Sequence, residues 1–121
     1  SMPEAASLAA ANKRIGNILK KADGDISGDV SESLLAEPAE RELVAALVEC
    51  EQAVMPLLER ADYAGILRHL AGLRATVDDY FDHVLVMSED EAVRRNRLGQ
   101  LVRLRGLFMR VADLSCLFNQ G

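Results

Sequence analysis

The chain has few of the residues from which catalytic and metal sites are most often built. Its 121 residues include two histidines, two cysteines and no tryptophan, and aromatic residues make up only 4% of it. Cys50 and Cys116 lie singly within apolar helical patterns, with neither a CxxC spacing nor a nearby histidine. We therefore expect two buried, reduced thiols, and neither a disulfide nor a metal site.

Signatures of nucleotide binding and covalent catalysis are also missing. No GxGxxG or GxxxxGKS/T motif occurs, and no nucleophile, base and orienting group come close together in the sequence. His69 and His83 are isolated, so each is expected at the surface or at the edge of the core. The sequence thus predicts a chain with no catalytic site and no cofactor of its own.

Long apolar runs are absent too. No stretch of about eighteen apolar residues and no basic leader before a short apolar block occur, so neither a membrane span nor a signal peptide is expected, and a cytoplasmic location is predicted. Ser1 before Met2 resembles the remnant of a removed tag, which indicates a piece of a longer protein. With 50% hydrophobic residues, residues 1–121 are expected to form a single domain.

What the sequence does contain is helical periodicity. Apolar residues recur at helical spacing from Glu4 to about Lys21, which predicts a first amphipathic helix. Glycine, aspartate and serine residues then predict a polar loop over Ala22–Ser33, with a turn of helix at Ser33–Ala36. No segment shows a convincing alternation of apolar and polar residues, so no β-strand is expected.

Two further helices follow. Pro38 favours a helix start because its fixed φ and missing N–H suit a first turn, and the apolar pattern continues to Leu58. Pro56 lies inside that pattern and predicts a kink one turn before the end of the helix. Asp62 can cap a third helix, which the pattern carries to about Phe81.

A fourth and long helix is predicted after an apolar link at His83–Met87, which we expect to be extended and packed on the core. Ser88 is predicted to begin this helix, with Glu91 three residues on to complete a capping box. The pattern then continues to about Phe118. The predicted fold class is therefore all-α: a bundle of about four main helices with a polar loop after the first and a long C-terminal helix.

Charge is distributed unevenly along the chain. The net charge of −5 alone argues against nucleic-acid binding. Ten of the 14 basic residues, however, lie in two segments without acids: Lys13, Arg14, Lys20 and Lys21 in the first helix, and Arg94, Arg95, Arg97, Arg103, Arg105 and Arg110 in the last. Such segments can present a basic face to phosphate. In the first helix, phosphate contact and simple solubility explain the pattern equally well.

Arg97 lies on the apolar stripe of the last helix, in line with Val93 and Leu101. A partly buried, bidentate ion pair is the favoured explanation, because buried charges are rarely left alone. Three acids are candidates for its partner: Asp78, Asp82 and Asp90. The alternative is a guanidinium that lines a cleft and meets RNA, alone or while held by that same carboxylate.

Other charged groups have simpler explanations. The acidic group Asp78, Asp79 and Asp82 is expected to pair with arginines opposite it, in preference to binding a metal. Arg103 and Arg110 are expected to form a solvated face.

Several short stretches of the sequence follow a pattern found in one known family. They are ANKRIGNIL (Ala11–Leu19), EPAE (Glu37–Glu40), Tyr80–Asp82, Val84–Met87, Glu89 with Asp90, Arg94, Asn96–Leu98 and Val111–Ser115. Together they resemble the C-terminal end of the β subunit of bacterial glycyl-tRNA synthetase. The resemblance covers almost the whole chain and does not rest on one short motif.

This resemblance implies a role in translation. In that family the catalytic site, with its ATP and Mg²⁺, belongs to the separate α subunit, and the terminal helical domain of the β subunit resembles the anticodon-binding domain of arginyl-tRNA synthetase. The chain would then hold the anticodon stem-loop of tRNA-Gly, beside the rest of the β subunit and the α subunit, with no catalytic site of its own. The implied tRNA contacts are Lys13, Arg14, Asn17, Lys20, Asp90, Arg94, Asn96 and Arg97.

The genetic code sharpens what such a domain would read. Every glycine codon begins GG, so the second and third anticodon letters are both C. An unstacked cytosine offers one amino donor and two acceptors, which calls for a carboxylate or carbonyl beside an arginine, lysine or amide. Asp90 and Arg94, one helical turn apart, supply that pair, and Tyr80, Phe81 or an arginine plane is expected to stack on the bases.

A different class of function stays open on the residues alone. The bundle could be an interaction module that docks on another protein through its apolar and basic faces, without RNA contact. Salt-sensitive binding to a glycine anticodon stem-loop would separate the two interpretations.

Overall fold

The fold is a bundle of α-helices, as the periodicity predicts. The structure, a computed structural model, describes residues 2–22 and 26–119, and it describes side chains at residue 6, residues 8–22 and residues 26–111. The helices are α1 (Met2–Lys21), α2 (Pro38–Glu59), α3 (Tyr63–His83) and α4 (Glu91–Asn119), with one 3₁₀ turn at Glu32–Leu34 before α2. No strand occurs within the described residues. The all-α prediction is confirmed.

The helices alternate in direction. Asn12 of α1 contacts Met109 near the end of α4, while Lys21 and Arg94 line one groove at the opposite ends of these helices. These two helices are therefore antiparallel. Successive ion pairs of α4 with α2, at Glu40 and then at Glu51, show that α2 and α4 run in the same direction. The end of α1, the start of α2 and the start of α4 consequently meet at one end of the bundle.

The core is formed by apolar side chains from all four helices. Among those that are fully buried are Ile15, Leu43, Leu47, Ile66, Leu101 and Leu104. Cys50 lies among these residues as a free, buried thiol, and burial raises its pKa to about 11. The predicted burial is confirmed for Cys50, while the side chain of Cys116 lies outside the described residues.

The predicted starts of α2 and α3 are confirmed. Pro38 is the first residue of α2, and the N–H of Glu37 just before it donates to Oε2 of Glu40 at 2.8 Å. Oδ1 of Asp62 accepts from the N–H of Gly65 at 3.0 Å, which caps α3. Pro56 lies inside α2 near its end. These local caps set where two of the bundle's helices begin.

The predicted cap of α4 is wrong by two residues. Oδ1 of Asp90 accepts from the N–H of Val93 at 3.1 Å, so Asp90 is the capping residue and the helix begins at Glu91. Oγ of Ser88 accepts instead from the N–H of Asp90, at 3.2 Å. Serine and aspartate are both good capping residues, and here Asp90 is the N-cap. The predicted capping box of Ser88 with Glu91 therefore does not form.

The link between α3 and α4 packs on the core through alternate residues. Val84 and Val86 are buried, whereas Leu85 and Met87 are exposed. The backbone is extended at Val84, as predicted, and then turns at residues 86–87. The link therefore presents two large apolar side chains to solvent while its own backbone stays anchored.

A buried ion pair joins α2 to α4. Arg97 Nε and Nη2 donate to the two carboxylate oxygens of Glu40, each at 3.1 Å, and the Glu40 side chain is fully buried. Gln100 Nε2 also donates to Glu40, at 3.2 Å, and Arg97 Nη1 donates to the carbonyl of Leu85 at 2.7 Å. The prediction of a buried, bidentate pair is confirmed, but the predicted partners Asp78, Asp82 and Asp90 are wrong. The true partner approaches from α2, 57 residues away in the chain.

These contacts determine the charge state of Glu40. Burial raises the pKa of its carboxyl group, but hydrogen bonds from Arg97, from the N–H of Glu37 and from Gln100 together lower the pKa below the usual value of 4.5. Glu40 is therefore ionised at neutral pH, and its charge is neutralised by Arg97 inside the bundle.

Removal of Arg97 should strand that charge. We expect Arg97→Met to lower the free energy of unfolding by about 3–5 kcal/mol at neutral pH, measured by urea denaturation. Arg103→Met is the matched control. It breaks the bidentate pair that Arg103 of α4 forms with Glu51 of α2, and because this pair is partly exposed the substitution should cost about 1 kcal/mol or less.

The pH dependence tests the cause of this loss. Since the pKa of Glu40 is lowered, the pair stabilises the wild-type fold above pH 4.5 and loses this effect as the pH falls through the lowered pKa. In Arg97→Met, protonation of Glu40 removes the stranded charge, so the deficit should shrink on acidification. A deficit that stays constant from pH 7 to pH 4 would contradict this explanation.

Substitutions of Asp90 and Ser88 at the start of α4 should differ in their effect on stability. Asp90→Ala should destabilise the fold by about 1 kcal/mol because it removes the helix cap, and Ser88→Ala should cost less because it removes only a local turn contact. Thermal unfolding of the two variants measures the difference. A larger loss for Ser88→Ala would restore Ser88 as the cap.

Candidate nucleic-acid interface

The arginines of α4 differ in what they contact. Arg97 is held by Glu40, and Arg103 donates to both oxygens of Glu51, at 2.7 and 3.2 Å. The prediction that Arg103 is solvated is therefore wrong, because α2 brings an acid beside it. Arg110 is exposed, as predicted. Two of the arginines of α4, Arg97 and Arg103, are consequently neutralised by acids of α2.

Asp90 and Arg94 lie together at the start of α4, but each already has a structural contact. One carboxylate oxygen of Asp90 caps the helix, and Arg94 Nη1 donates to the carbonyl of Ser88 at 2.9 Å. Asp90 is exposed and Arg94 is half-buried. The second oxygen of Asp90 and the other N–H groups of Arg94 have no hydrogen-bond partner among the described residues, so both side chains keep groups for a ligand.

Asn96 holds the loop that precedes α2. Its Oδ1 accepts from the N–H of Ser31 at 2.7 Å, and its Nδ2 donates to the carbonyl of Ser31 at 3.2 Å. One turn on, a Cβ at Gly99 would lie 2.8 Å from the carbonyl oxygen of Asp29, so only glycine lets the loop backbone lie this close to α4. Both the oxygen and the nitrogen of the buried Asn96 amide are thus hydrogen-bonded to the backbone of Ser31.

The polar side of α1 is an exposed basic surface. Lys13, Asn17 and Lys20 are exposed, and together with Arg14 they form what we call the α1 basic face. The Arg14 guanidinium lies 4.2 Å from the centre of the Phe81 ring, so a cation–π contact holds it against α3. As predicted, these four residues lie on one helix.

The stacking prediction is wrong for Tyr80. Its ring is fully buried and meets the Phe81 ring edge-on, with ring centres 5.7 Å apart. A base could not reach it without opening the core. Phe81 is half-buried beneath Arg14, which leaves the flat Arg14 guanidinium above it as the accessible plane.

The acids at the end of α3 pair within their own helix. Asp78 forms an ion pair with Arg74 at 3.5 Å, and Asp79 contacts His83 at 3.1 Å, so the predicted pairing with arginines opposite does not occur at these two. A hydrogen bond to the backbone of Asp79, together with the charge of that residue, raises the pKa of His83. No cluster of three or more potential metal ligands occurs in the described part of the chain.

A groove runs between α1, the start of α3 and the end of α4, and we call it the α1–α4 groove. Its apolar lining consists of Leu8, Ala9, Leu67, Leu70, Phe108 and Val111, with Tyr63 at one end. Its polar lining consists of Asn12, Lys13, Asn17, Lys20 and Arg105. Sequence reasoning missed Asn12 and Arg105, although Gly16 on the basic helix was a signal of close approach by another side chain.

None of the described helices is both long enough and apolar enough to cross a bilayer.

Comparison with known proteins identifies the family. Residues 8–113 match the model of the DALR anticodon binding domain. The chain is 52% identical to a glycine–tRNA ligase beta subunit of Marinobacter nauticus over 99% of its own length, and 52% identical to that of Leptothrix cholodnii over 95%. It is 50% identical to that of Psychromonas ingrahamii over 97%. It spans only 16–18% of the length of these relatives. The chain therefore belongs to the DALR anticodon-binding domain family.

Proposed function

We propose that this domain holds the anticodon end of tRNA-Gly for a glycine–tRNA ligase and carries no catalytic step itself. The match of residues 8–113 to an anticodon-binding family carries this proposal. The relatives that resemble nearly the whole chain are glycine–tRNA ligase beta subunits, which points to glycine as the amino acid. Glycine activation, with ATP and Mg²⁺, would then belong to the catalytic α subunit, and the rest of the β subunit would be a further partner.

The charges of α1 and α4 support contact with RNA. Lys13 and Lys20 are exposed on α1, which has no acid from Ala5 to its end at Lys21. A local positive potential attracts phosphate even when the whole chain is acidic, because an anion responds to the nearest charges. The α1 basic face is therefore the proposed contact for the RNA backbone, and this contact would be independent of base sequence.

Base reading is assigned to Asp90 and Arg94. They lie one turn apart at the start of α4 and present a carboxylate oxygen and guanidinium N–H groups, which match the amino donor and the acceptors of cytosine. Arg97 and Asn96, also implied by the sequence resemblance, are held by Glu40 and by Ser31. Their proposed part is to keep the start of α4 in place beneath the RNA.

Charge removal on α1 tests the phosphate contact. Replacing Lys13, Arg14 and Lys20 together with glutamine should weaken binding of a glycine anticodon stem-loop and reduce the slope of log affinity against log salt by roughly 2–3. Fluorescence anisotropy at several salt concentrations measures this slope. Replacing Arg60, Arg68 and Arg74 removes the same charge from other segments and serves as the control. Equal slopes for the two triple variants would remove α1 from the interface.

Discrimination between anticodons tests the base contact. Arg94→Ala should cost roughly 1–3 kcal/mol of preference for a CC anticodon over an altered one. Asp90→Ser should do the same while keeping a good helix cap, because serine is too short to reach the base. Binding to paired stem-loops with native and altered anticodons gives the preference. If affinity for both loops falls equally, these residues are phosphate contacts or structural supports.

A docking role without RNA is the competing function. Leu85 and Met87 are exposed on the α3–α4 link, with 69% and 46% of their surfaces accessible, and could bind another protein. Absence of any salt-dependent RNA binding by the wild-type chain would favour this second function.

A further inference from the structure

The α1–α4 groove has a shape, and two polar side chains, Asn12 and Arg105, that the contacts proposed above do not use. Its volume is about 540 Å³, within the range of sites for small molecules, about 300–1,000 Å³. Its floor is apolar, from Leu67, Leu70 and Phe108. Asn12 lies roughly 14 Å along α1 from Lys21, the residue of this helix that lines the same groove as Arg94. A base bound at Asn12 would therefore be a separate contact from Asp90 and Arg94.

Arg105 lies in this groove without a partner. Unlike Arg97 and Arg103, it makes no hydrogen bond or ion pair with any residue the structure describes. Its guanidinium rests on the backbone of α1 at Gly16, where a Cβ would be only 3.0 Å from Nη1. Glycine at this position therefore permits a cation to lie between the two helices, at the edge of an apolar floor.

The charge of the groove selects an anionic occupant. Lys13, Lys20 and Arg105 line it, and no acid is among the lining residues. Three other grooves of the described chain each include an acid, such as Glu49, Asp29 or Glu89. Three cations around an apolar floor complement a molecule with a flat apolar part and a phosphate.

Asn12 supplies a polar group beside that floor. Its Nδ2 contacts only the sulfur of Met109, at 3.4 Å, and its Oδ1 is buried with no hydrogen-bond partner among the described residues. A buried acceptor without a partner is unfavourable, so the amide gains a hydrogen bond when its oxygen turns toward a donor in the groove. The exocyclic amino group of cytosine is such a donor, whereas uracil carries a carbonyl at the same place.

We propose that the α1–α4 groove takes an unstacked cytidine nucleotide of the RNA. The base packs on the apolar floor with its amino group on Asn12, and Arg105 and Lys13 hold the phosphate. This inference rests on the proposed function, because it supposes that the domain holds an RNA loop.

Gly16→Ala tests the groove without removing any charge. The added methyl group should displace the Arg105 guanidinium and lower affinity for the glycine anticodon stem-loop roughly tenfold. Gly106→Ala, beside Arg105 on α4, is the matched control, because a Cβ there meets nothing within 4 Å. Both substitutions favour the helix, so circular dichroism should show an intact fold in each. Equal affinities for the two variants would overturn the proposal.

Asn12→Leu tests the base contact. In the wild-type chain, replacing the anticodon cytosines by uracils should weaken binding, and Asn12→Leu should reduce this preference roughly fivefold or more. A preference unchanged by Asn12→Leu would overturn the assignment of Asn12. A Gly16→Ala chain that binds RNA normally but no longer associates with the rest of the β subunit would show that the groove is a protein interface, and would also overturn the proposal.

Failure of the proposed function gives a different result. In that case the wild-type chain itself does not bind the stem-loop, and no variant is needed to see it. If the wild-type chain binds with a preference for CC while Gly16→Ala and Asn12→Leu behave like Gly106→Ala, only the groove proposal is lost.

Discussion

The buried carboxylate of Glu40 accepts four hydrogen bonds, from the N–H of Glu37, from Gln100 and twice from Arg97. Arg97 in turn donates to the carbonyl of Leu85, so one ion pair joins the start of α2, the α3–α4 link and the first two turns of α4. Burial of a charge pair costs much of what its attraction returns, and the pair persists because nearly every donor and acceptor has a partner. It therefore contributes more to a unique arrangement of these segments than to net stability.

That arrangement determines which charges are available for RNA. Glu40 and Glu51 of α2 neutralise Arg97 and Arg103, whereas Arg94 and Arg105 line grooves beside α1 and form no ion pair with a described residue. The basic surface is thus narrower than the sequence indicates. It lies where α1 and α4 run side by side. A chain of net charge −5 can attract phosphate there because its acids are distributed over other segments.

Local signals predicted the helices well and the contacts between them poorly. Pro38 and Asp62 start α2 and α3 as expected, because a first turn depends on neighbours in the chain. The start of α4 was misplaced, since Ser88 and Asp90 are equally good caps and only the folded link decides between them. That Arg97 needed an acid was evident from its place on an apolar stripe. The identity of that acid, Glu40, could not be predicted, because it depends on packing between distant segments of the chain. The same holds for the hydrogen bonds of Asn96 with Ser31.

The most direct test of the account is equilibrium binding of the unmodified chain to a glycine anticodon stem-loop and to the same loop with both anticodon cytosines replaced. We expect binding that weakens as salt rises and that favours the native loop, because α1 attracts phosphate and the groups at the start of α4 fit cytosine. Equal affinity for the two loops, or no binding at low salt, would contradict the claim that this domain reads the glycine anticodon.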